Sequence, residues 1–110
     1  MPSEPLRPST VLGRRMRARR EELEWSQEKV GVLIGLDESS SRARISRYEL
    51  GVHEPAVATA RALAAALKVP LAYLYCEDDD VAALLMALFD LPKTARREQV
   101  RRFRGELAGG

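Results

Sequence analysis

The sequence predicts an all-α protein in which five short helices form one domain and two further helices follow. Apolar residues recur at intervals of three and four, and no segment shows the apolar–polar alternation typical of a half-buried strand. Prolines or glycines mark several of the predicted helix ends, at Gly35, Pro55, Pro70 and Pro92. At 110 residues the chain has room for one small domain with one appendage. The predicted fourth helix shows the helical period most clearly, with inward positions at Val57, Ala60, Leu63, Ala64 and Leu67.

Capping residues and glycines indicate where the first helices begin and end. Ser9 or Thr10 is placed to cap the first helix and Ser26 the second, because their hydroxyls accept from exposed backbone N–H groups. Gly35 suits a left-handed helix stop. Gly31 lies inside the second helix, where glycine is costly, and is predicted to permit a close helix crossing. The predicted helices span about 11–23, 26–35, 41–50, 56–68, 70–75, 81–89 and 94–107.

The chain divides into three predicted parts. Residues 1–8 contain three prolines and are expected to form a loose arm. Residues 9–76, called the domain below, hold the first five helices. Residues 77–110, called the extension, hold the last two.

The strongest functional signal lies in residues 25–51, which are predicted to form two short helices joined by a polar turn. The second of these helices has two faces, and Ile45, Tyr48 and Glu49 lie on the inner one. A short exposed helix that carries arginine and small polar residues suits the major groove of DNA. The residues of the outer face are Arg42, Ala43, Ser46 and Arg47.

These residues resemble the lambda-repressor/Cro group of helix-turn-helix proteins, the xenobiotic-response-element family of bacterial and phage regulators. The resemblance covers about residues 11–75 and implies a five-helix, lambda-repressor-like DNA-binding domain. One spacing differs, because Gln27 and Ile45 lie about four residues further apart than is usual in this group. We attribute the difference to a lengthened turn at residues 36–40. The matching strings are Leu12–Arg17 and Arg20; Ser26–Glu28; Gly35; Ile45–Glu49; Gly51; Pro55; Ala62–Ala64; Leu67–Pro70; and Tyr73–Leu74.

The resemblance implies that four residues of the third helix contact DNA bases, namely Ser41, Arg42, Ala43 and Arg47. Arginine suits this role because its guanidinium matches the O6 and N7 acceptors of guanine with two hydrogen bonds. Ala43 offers a methyl group for contact with thymine, and Ser41 could serve a base or a phosphate. The alternative is that both arginines are solvated or touch phosphates alone.

Other roles are implied around the base-reading helix. Gln27 is expected to hydrogen-bond a DNA phosphate, and Arg44 and Ser46 flank the same face as further phosphate contacts. The resemblance also pairs Glu49 with Arg20, a structural ion pair that would fix the first helix against the third.

Two charged segments have less specific interpretations. The first helix is rich in arginine, but Glu21, Glu22 and Glu24 follow closely, so most of these arginines are expected to form a solvated face. The acidic block 77–80 is expected to cap the sixth helix, because carboxylates stabilise helix N-termini. Two alternatives for this block stay open, which are local repulsion of DNA and contact with the basic tail of a partner subunit.

Composition and motifs argue against several other functions. The longest apolar run, 81–89, falls far short of the roughly 18 residues that a membrane helix needs, so no membrane contact is expected. Cys76 is the single cysteine and His53 the single histidine, which leaves no internal disulfide and no metal-ligand cluster. No nucleophile–base pair or glycine-rich phosphate loop is present, so we expect neither an enzyme nor a cofactor. These features together predict a cytoplasmic protein.

The extension carries more apolar surface than a small domain needs to cover itself, and we expect it to build a two-fold dimer interface. The sequence thus predicts a transcriptional regulator, a repressor, that binds double-stranded DNA as a homodimer on a palindromic operator. One alternative is that both helices fold back on their own subunit. Another is an antitoxin that binds a toxin protein through these helices and represses its own operon. The predicted dimerisation residues are Leu84, Leu85, Leu88, Phe89 and Phe103.

Overall fold

The computed structural model describes residues 10–109, which form seven α-helices and no β-strand. The all-α prediction of five helices followed by two is confirmed. The predicted loose arm at 1–8 lies outside the described residues. The helices are α1 (Val11–Glu22), α2 (Gln27–Leu33), α3 (Glu38–Leu50), α4 (Val57–Leu67), α5 (Leu71–Leu74), α6 (Asp79–Asp90) and α7 (Lys93–Gly109).

Side-chain caps begin three of these helices. The Thr10 hydroxyl accepts a hydrogen bond from the backbone N–H three residues later, at 3.0 Å, and Ser26 does the same at 3.0 Å. The Asp78 carboxylate accepts from the third residue after it at 2.9 Å, so the predicted capping role of the acidic block is confirmed. Each of these bonds satisfies an N–H that the helix itself leaves unpaired.

Two glycines shape the join between α2 and α3. Gly35 has a φ of +93°, and the N–H of Leu36 donates to the carbonyl of Gly31 at 3.0 Å, which closes a left-handed helix stop. A Cβ added at Gly31 would lie against the Cβ of Ser41 and 2.7 Å from its Oγ. Both glycine predictions are confirmed, and α2 crosses α3 at a distance that no side chain at Gly31 permits.

The third helix begins three residues earlier than predicted. The backbone N–H groups of Ser40 and Ser41 both donate to the carbonyl of Asp37, at 3.0 and 2.9 Å, so the helical turn starts at Glu38. The predicted lengthened turn at residues 36–40 is therefore wrong. A run of Asp and Ser favours turns and caps in isolation, but here it forms an additional N-terminal turn of helix.

The core lies where α1 to α5 meet, and Ala82 of α6 packs into it. Ile45, Leu63, Leu67 and Leu74 are fully inaccessible to solvent. The expectation that Val57 points inward is wrong, because its side chain lies exposed at the first residue of α4. The other buried apolar residues of the domain are Leu12, Met16, Val30, Tyr48, Ala60, Ala64, Val69 and Tyr73.

The extension forms a helical hairpin that attaches to the domain through α6. Ala82 is the buried residue of α6, and α7 contains none. Arg96 of α7 stabilises the turn between α6 and α7. Its guanidinium donates to the carbonyls of Leu88, Phe89 and Leu91 at 2.9, 3.0 and 3.1 Å. The Leu88 carbonyl also accepts from the N–H of Leu91 at 3.2 Å, so Arg96 reinforces the capping of the last turn of α6. Among residues 10–109, no helix combines the length and apolarity that a membrane crossing requires.

Candidate nucleic-acid interface

The two predicted faces of α3 are present in the structure. Ile45, Tyr48 and Glu49 are buried against the domain. The opposite side presents two arginines to solvent, Arg42 and Arg47, and no acidic side chain among residues 10–109 forms a salt bridge with either. This side also exposes Ala43 and Arg44 and partly exposes Ser46. The assignment of these residues to bases and phosphates remains a prediction.

Ser41 does not belong to this exposed face. Its side chain is 0% exposed, and its Oγ donates to the backbone carbonyl of Asp37 at 2.7 Å. It also fills the space beside Gly31 at the α2–α3 crossing. The prediction that Ser41 contacts DNA is wrong, because its hydroxyl is engaged inside the domain.

The additional first turn of α3 supplies other residues for the exposed face. Ser39 and Ser40 are both exposed. Ser39, Ala43 and Arg47 follow each other at four-residue spacing, which aligns them along one side of a helix. Sequence reasoning missed these serines because it began the helix at residue 41. The signal that could have found them is the acidic pair Asp37-Glu38, which is typical of a helix N-terminus.

A buried ion pair anchors α3 to α1. The Arg20 guanidinium donates to both oxygens of Glu49, at 2.7 and 3.0 Å, and to the backbone carbonyl of Trp25 at 3.0 Å. Glu49 is 4% exposed, and its hydrogen bond raises the pKa of Arg20 above its ordinary value. The forked geometry fixes the orientation of both side chains. The exposed side of α3 is thereby held in one position relative to the rest of the domain.

Gln27 joins this ion pair from the start of α2. Its amide nitrogen donates to Glu49 at 3.1 Å, so the side chain is held at the mouth of a cleft between α1, α2 and α3. Arg17 and Arg42 stand on the walls of this cleft, which gives it a positive rim suited to phosphate. The cleft is lined by Arg17, Arg20, Ser26, Gln27, Glu28, Arg42, Ser46, Glu49 and Leu50.

Two further arginines of α1 depart from the predicted solvated face. Arg15 donates to the backbone carbonyl of Cys76 at 2.9 Å, and Arg19 donates to that of Leu67 at 2.9 Å. Their side chains are 12% and 17% exposed. The solvated interpretation is wrong for these two, because they satisfy carbonyls near the ends of other helices. Arg14 and Arg17 are exposed, as expected.

Comparisons with known proteins agree with this geometry. The profile of the helix-turn-helix family matches residues 16–74, more than half of the chain. The crystal structure of the transcriptional regulator BswR is similar to this one with a TM-score of 0.80 and 38% sequence identity. That similarity covers 88% of this chain and 96% of the other, so it reaches beyond the domain into the extension. A search of curated proteins found no significant match. The chain belongs to the lambda-repressor-like helix-turn-helix family of DNA-binding transcriptional regulators.

Proposed function

We propose that this regulator is a repressor that binds a palindromic operator as a homodimer. The observation that carries the proposal is the exposed, arginine-bearing side of α3, which the buried Arg20–Glu49 pair holds in place. A protein bound at an operator represses transcription when the site overlaps the region that polymerase must occupy. The similarity to a structure described as a transcriptional regulator supports this proposal.

On the DNA, the exposed side of α3 would enter the major groove. Arg42 and Arg47 would read bases, and Ala43 would offer its methyl group to thymine. Ser39, in the additional first turn, extends the same row and joins the proposed base-contacting set. The phosphates on either side would be held by Gln27, Arg44 and Ser46.

A single short helix contacts few base pairs, so specificity favours two copies on two half-sites about one helical turn apart. The extension offers a surface for that pairing. Leu84 is 45% exposed and Phe89 is 37% exposed, while Leu85, Leu88 and Phe103 are partly exposed beside them. We propose that this apolar stripe packs against the same stripe of a second copy, because a patch of this kind in water is typical of an interface.

Sedimentation equilibrium of the full chain tests the dimer. We expect the wild type to be dimeric at micromolar concentration and Leu84→Glu to be monomeric with unchanged helix content, because a carboxylate would lie unpaired within the interface. Ala87→Glu is the matched control, since it adds the same charge at an exposed position of the same helix. A Leu84→Glu protein that remains dimeric would exclude the stripe as the interface, and a monomeric wild type would exclude the homodimer.

An antitoxin function is the second candidate. It is favoured by the last part of α7, where residues 104–109 are all exposed and Leu107 is 85% exposed. Co-expression with the product of the neighbouring gene tests this function. An antitoxin would form a stable complex with that product and relieve its inhibition of growth, whereas a plain repressor would do neither.

A further inference from the structure

One arginine reaches across from α1 to the start of the extension, beside the point where Ala82 and Met86 of α6 pack against the core. The Arg15 guanidinium donates to the backbone carbonyls of Cys76 and Glu77, at 2.9 and 3.4 Å. It also forms an ion pair with Asp79 at 2.9 Å and lies 5.7 Å from the centre of the Tyr73 ring. A single side chain therefore contacts the end of α5, the connecting segment and the first residue of α6.

These contacts restrain the direction in which α6 leaves the domain, the carbonyl bonds more than the ion pair, because the Asp79 side chain is 84% exposed. The connecting segment between α5 and α6 spans only residues 75–78, and Arg15 donates to the carbonyls of two of its four residues. Asp79 lies in the first turn of α6, so its ion pair restrains the helix itself. Ala82, one turn further on, is buried against the domain, which places the pivot of the helix beside Arg15.

The geometry of Arg15 is specific to arginine. Its Nε donates to the Cys76 carbonyl, while one terminal nitrogen, Nη2, contacts the Glu77 carbonyl and the Asp79 carboxylate. A lysine would supply one nitrogen and one point charge where arginine uses two nitrogens in a fixed plane. With its side chain 12% exposed, Arg15 is poorly placed for contact with DNA.

We propose that Arg15 is a positioning residue that sets the spacing between operator half-sites. The proposal rests on the proposed function, in which the extension forms the dimer interface and α3 reads each half-site. In such a dimer, the distance and rotation between the two copies of α3 depend on the angle between each domain and its α6. A rigid joint allows both copies to bind at one spacing alone, whereas a loose joint tolerates several.

The test measures binding of the full chain to synthetic operators that carry two identical half-sites separated by spacers of increasing length. We expect wild-type affinity to fall by at least about tenfold when two base pairs are added to the preferred spacer, because simultaneous engagement is lost. For Arg15→Ala we expect the same two added base pairs to lower the affinity by less than about threefold. Affinity for DNA with a single half-site should agree between the two proteins within about twofold, because α3 is untouched.

Two further variants keep the test decisive if Arg15→Ala folds poorly. Arg15→Lys retains the charge and should still lose the spacing preference, because one ammonium cannot replace both Nε and Nη2. Asp79→Asn removes the ion pair and leaves the Asp78 cap in place. Its spacing preference should therefore weaken less than that of Arg15→Ala. Arg61→Ala is the control, since it removes the same charge from an exposed position on α4.

The outcomes separate this proposal from the function on which it rests. Arg15 variants that are folded by circular dichroism and keep the wild-type spacing preference would overturn the positioning role and leave the dimer intact. A wild type that binds single and paired half-sites equally would overturn the palindromic-dimer function and this proposal with it.

Discussion

The domain and the extension are both built of amphipathic helices, but they differ in how much of their apolar surface they bury. The domain encloses Leu63, Leu67 and Leu74 completely, within a core to which five of its helices contribute and to which α6 adds Ala82. In the extension, α6 buries Ala82 alone and α7 buries no residue, while Leu84 remains half exposed. Most of the buried apolar surface therefore belongs to the domain, and most of the exposed apolar surface of α6 faces solvent in the isolated subunit.

The same contrast holds for charged pairs. In the domain, the Arg20–Glu49 pair is forked, buried and shared with Gln27. In the extension, the Arg102–Glu106 pair is a single contact of 3.2 Å on the surface of α7. Buried pairs cost desolvation and impose a unique geometry, whereas exposed ones contribute little. The buried pair therefore fixes the position of α3 within the domain, which the surface pair on α7 does not do for the extension.

Removing Glu49 should give the largest effect on stability. Glu49→Ala leaves Arg20 partly buried without its carboxylate, so we expect the free energy of unfolding to fall by about 3–5 kcal/mol. The matched variant Glu106→Ala in the extension should change it by less than about 0.5 kcal/mol. Urea denaturation of both variants measures the difference. Equal free energies of unfolding for the two variants would show that the buried pair does not stabilise the domain.

Apolar truncations sharpen the contrast between the two regions. Leu63→Ala should destabilise the fold by about 2–5 kcal/mol, because it empties a fully buried site in the core. Leu84→Ala should leave unfolding of the isolated subunit nearly unchanged and weaken the proposed dimer instead. Denaturation at several protein concentrations separates these effects. If Leu84→Ala lowered the free energy of unfolding as much as Leu63→Ala at every protein concentration, both residues would belong to one core.

Base reading should depend on Arg42 in a sequence-specific way. Arg42→Ala is expected to weaken operator binding by about 1–3 kcal/mol and relax the preference at one base pair, a G·C. Gln27→Ala should weaken binding to operator and random DNA alike, because a phosphate contact carries no sequence information. Competition binding at a fixed, stated salt concentration measures both. Equal losses on the two DNAs for Arg42→Ala would contradict its base-reading role.

The sequence predicts the domain well wherever neighbouring residues determine the structure. The caps at Thr10 and Ser26 and the helix stop at Gly35 depend on hydrogen bonds that span a few residues, and all three are present. The two faces of α3 follow from the helical period. The division between the domain at 9–76 and the extension at 77–110 stays a prediction, and the acidic residues that begin α6 are its signal in the sequence.

The errors arise where a distant part of the chain decides. Serine is a residue type that can contact DNA, but Ser41 packs into the space that Gly31 leaves open at the helix crossing. Arg15 and Arg19 reach carbonyls 61 and 48 residues away, which no local pattern reveals. The start of α3 is the exception, because its cause is local: Asp and Ser favour turns as well as helix caps, and here the Asp37 carbonyl begins a helix.

The smallest expected effect concerns Tyr73, which lies where the domain meets the extension. Burial raises the pKa of its phenol above the ordinary value; Glu22 and Asp79 add to the increase, while Arg15 and Arg19 oppose it. A raised pKa means that the folded state favours the neutral phenol, so the contribution to stability is complete below the unfolded pKa and is lost as pH rises through the folded one.

Stability should therefore decline above about pH 10 in the wild type and decline less in Tyr73→Phe, which has no phenol to ionise. Tyr75→Phe is the control, because Tyr75 is exposed and should follow the wild type. Urea denaturation between about pH 8 and about pH 11 provides the comparison, since lysine ionisation is common to all three proteins and cancels in the differences. If the free energy of unfolding had the same pH dependence in the wild type and Tyr73→Phe, the phenol would be as well solvated as a surface tyrosine. The joint beside Arg15 would then be open to water instead of packed.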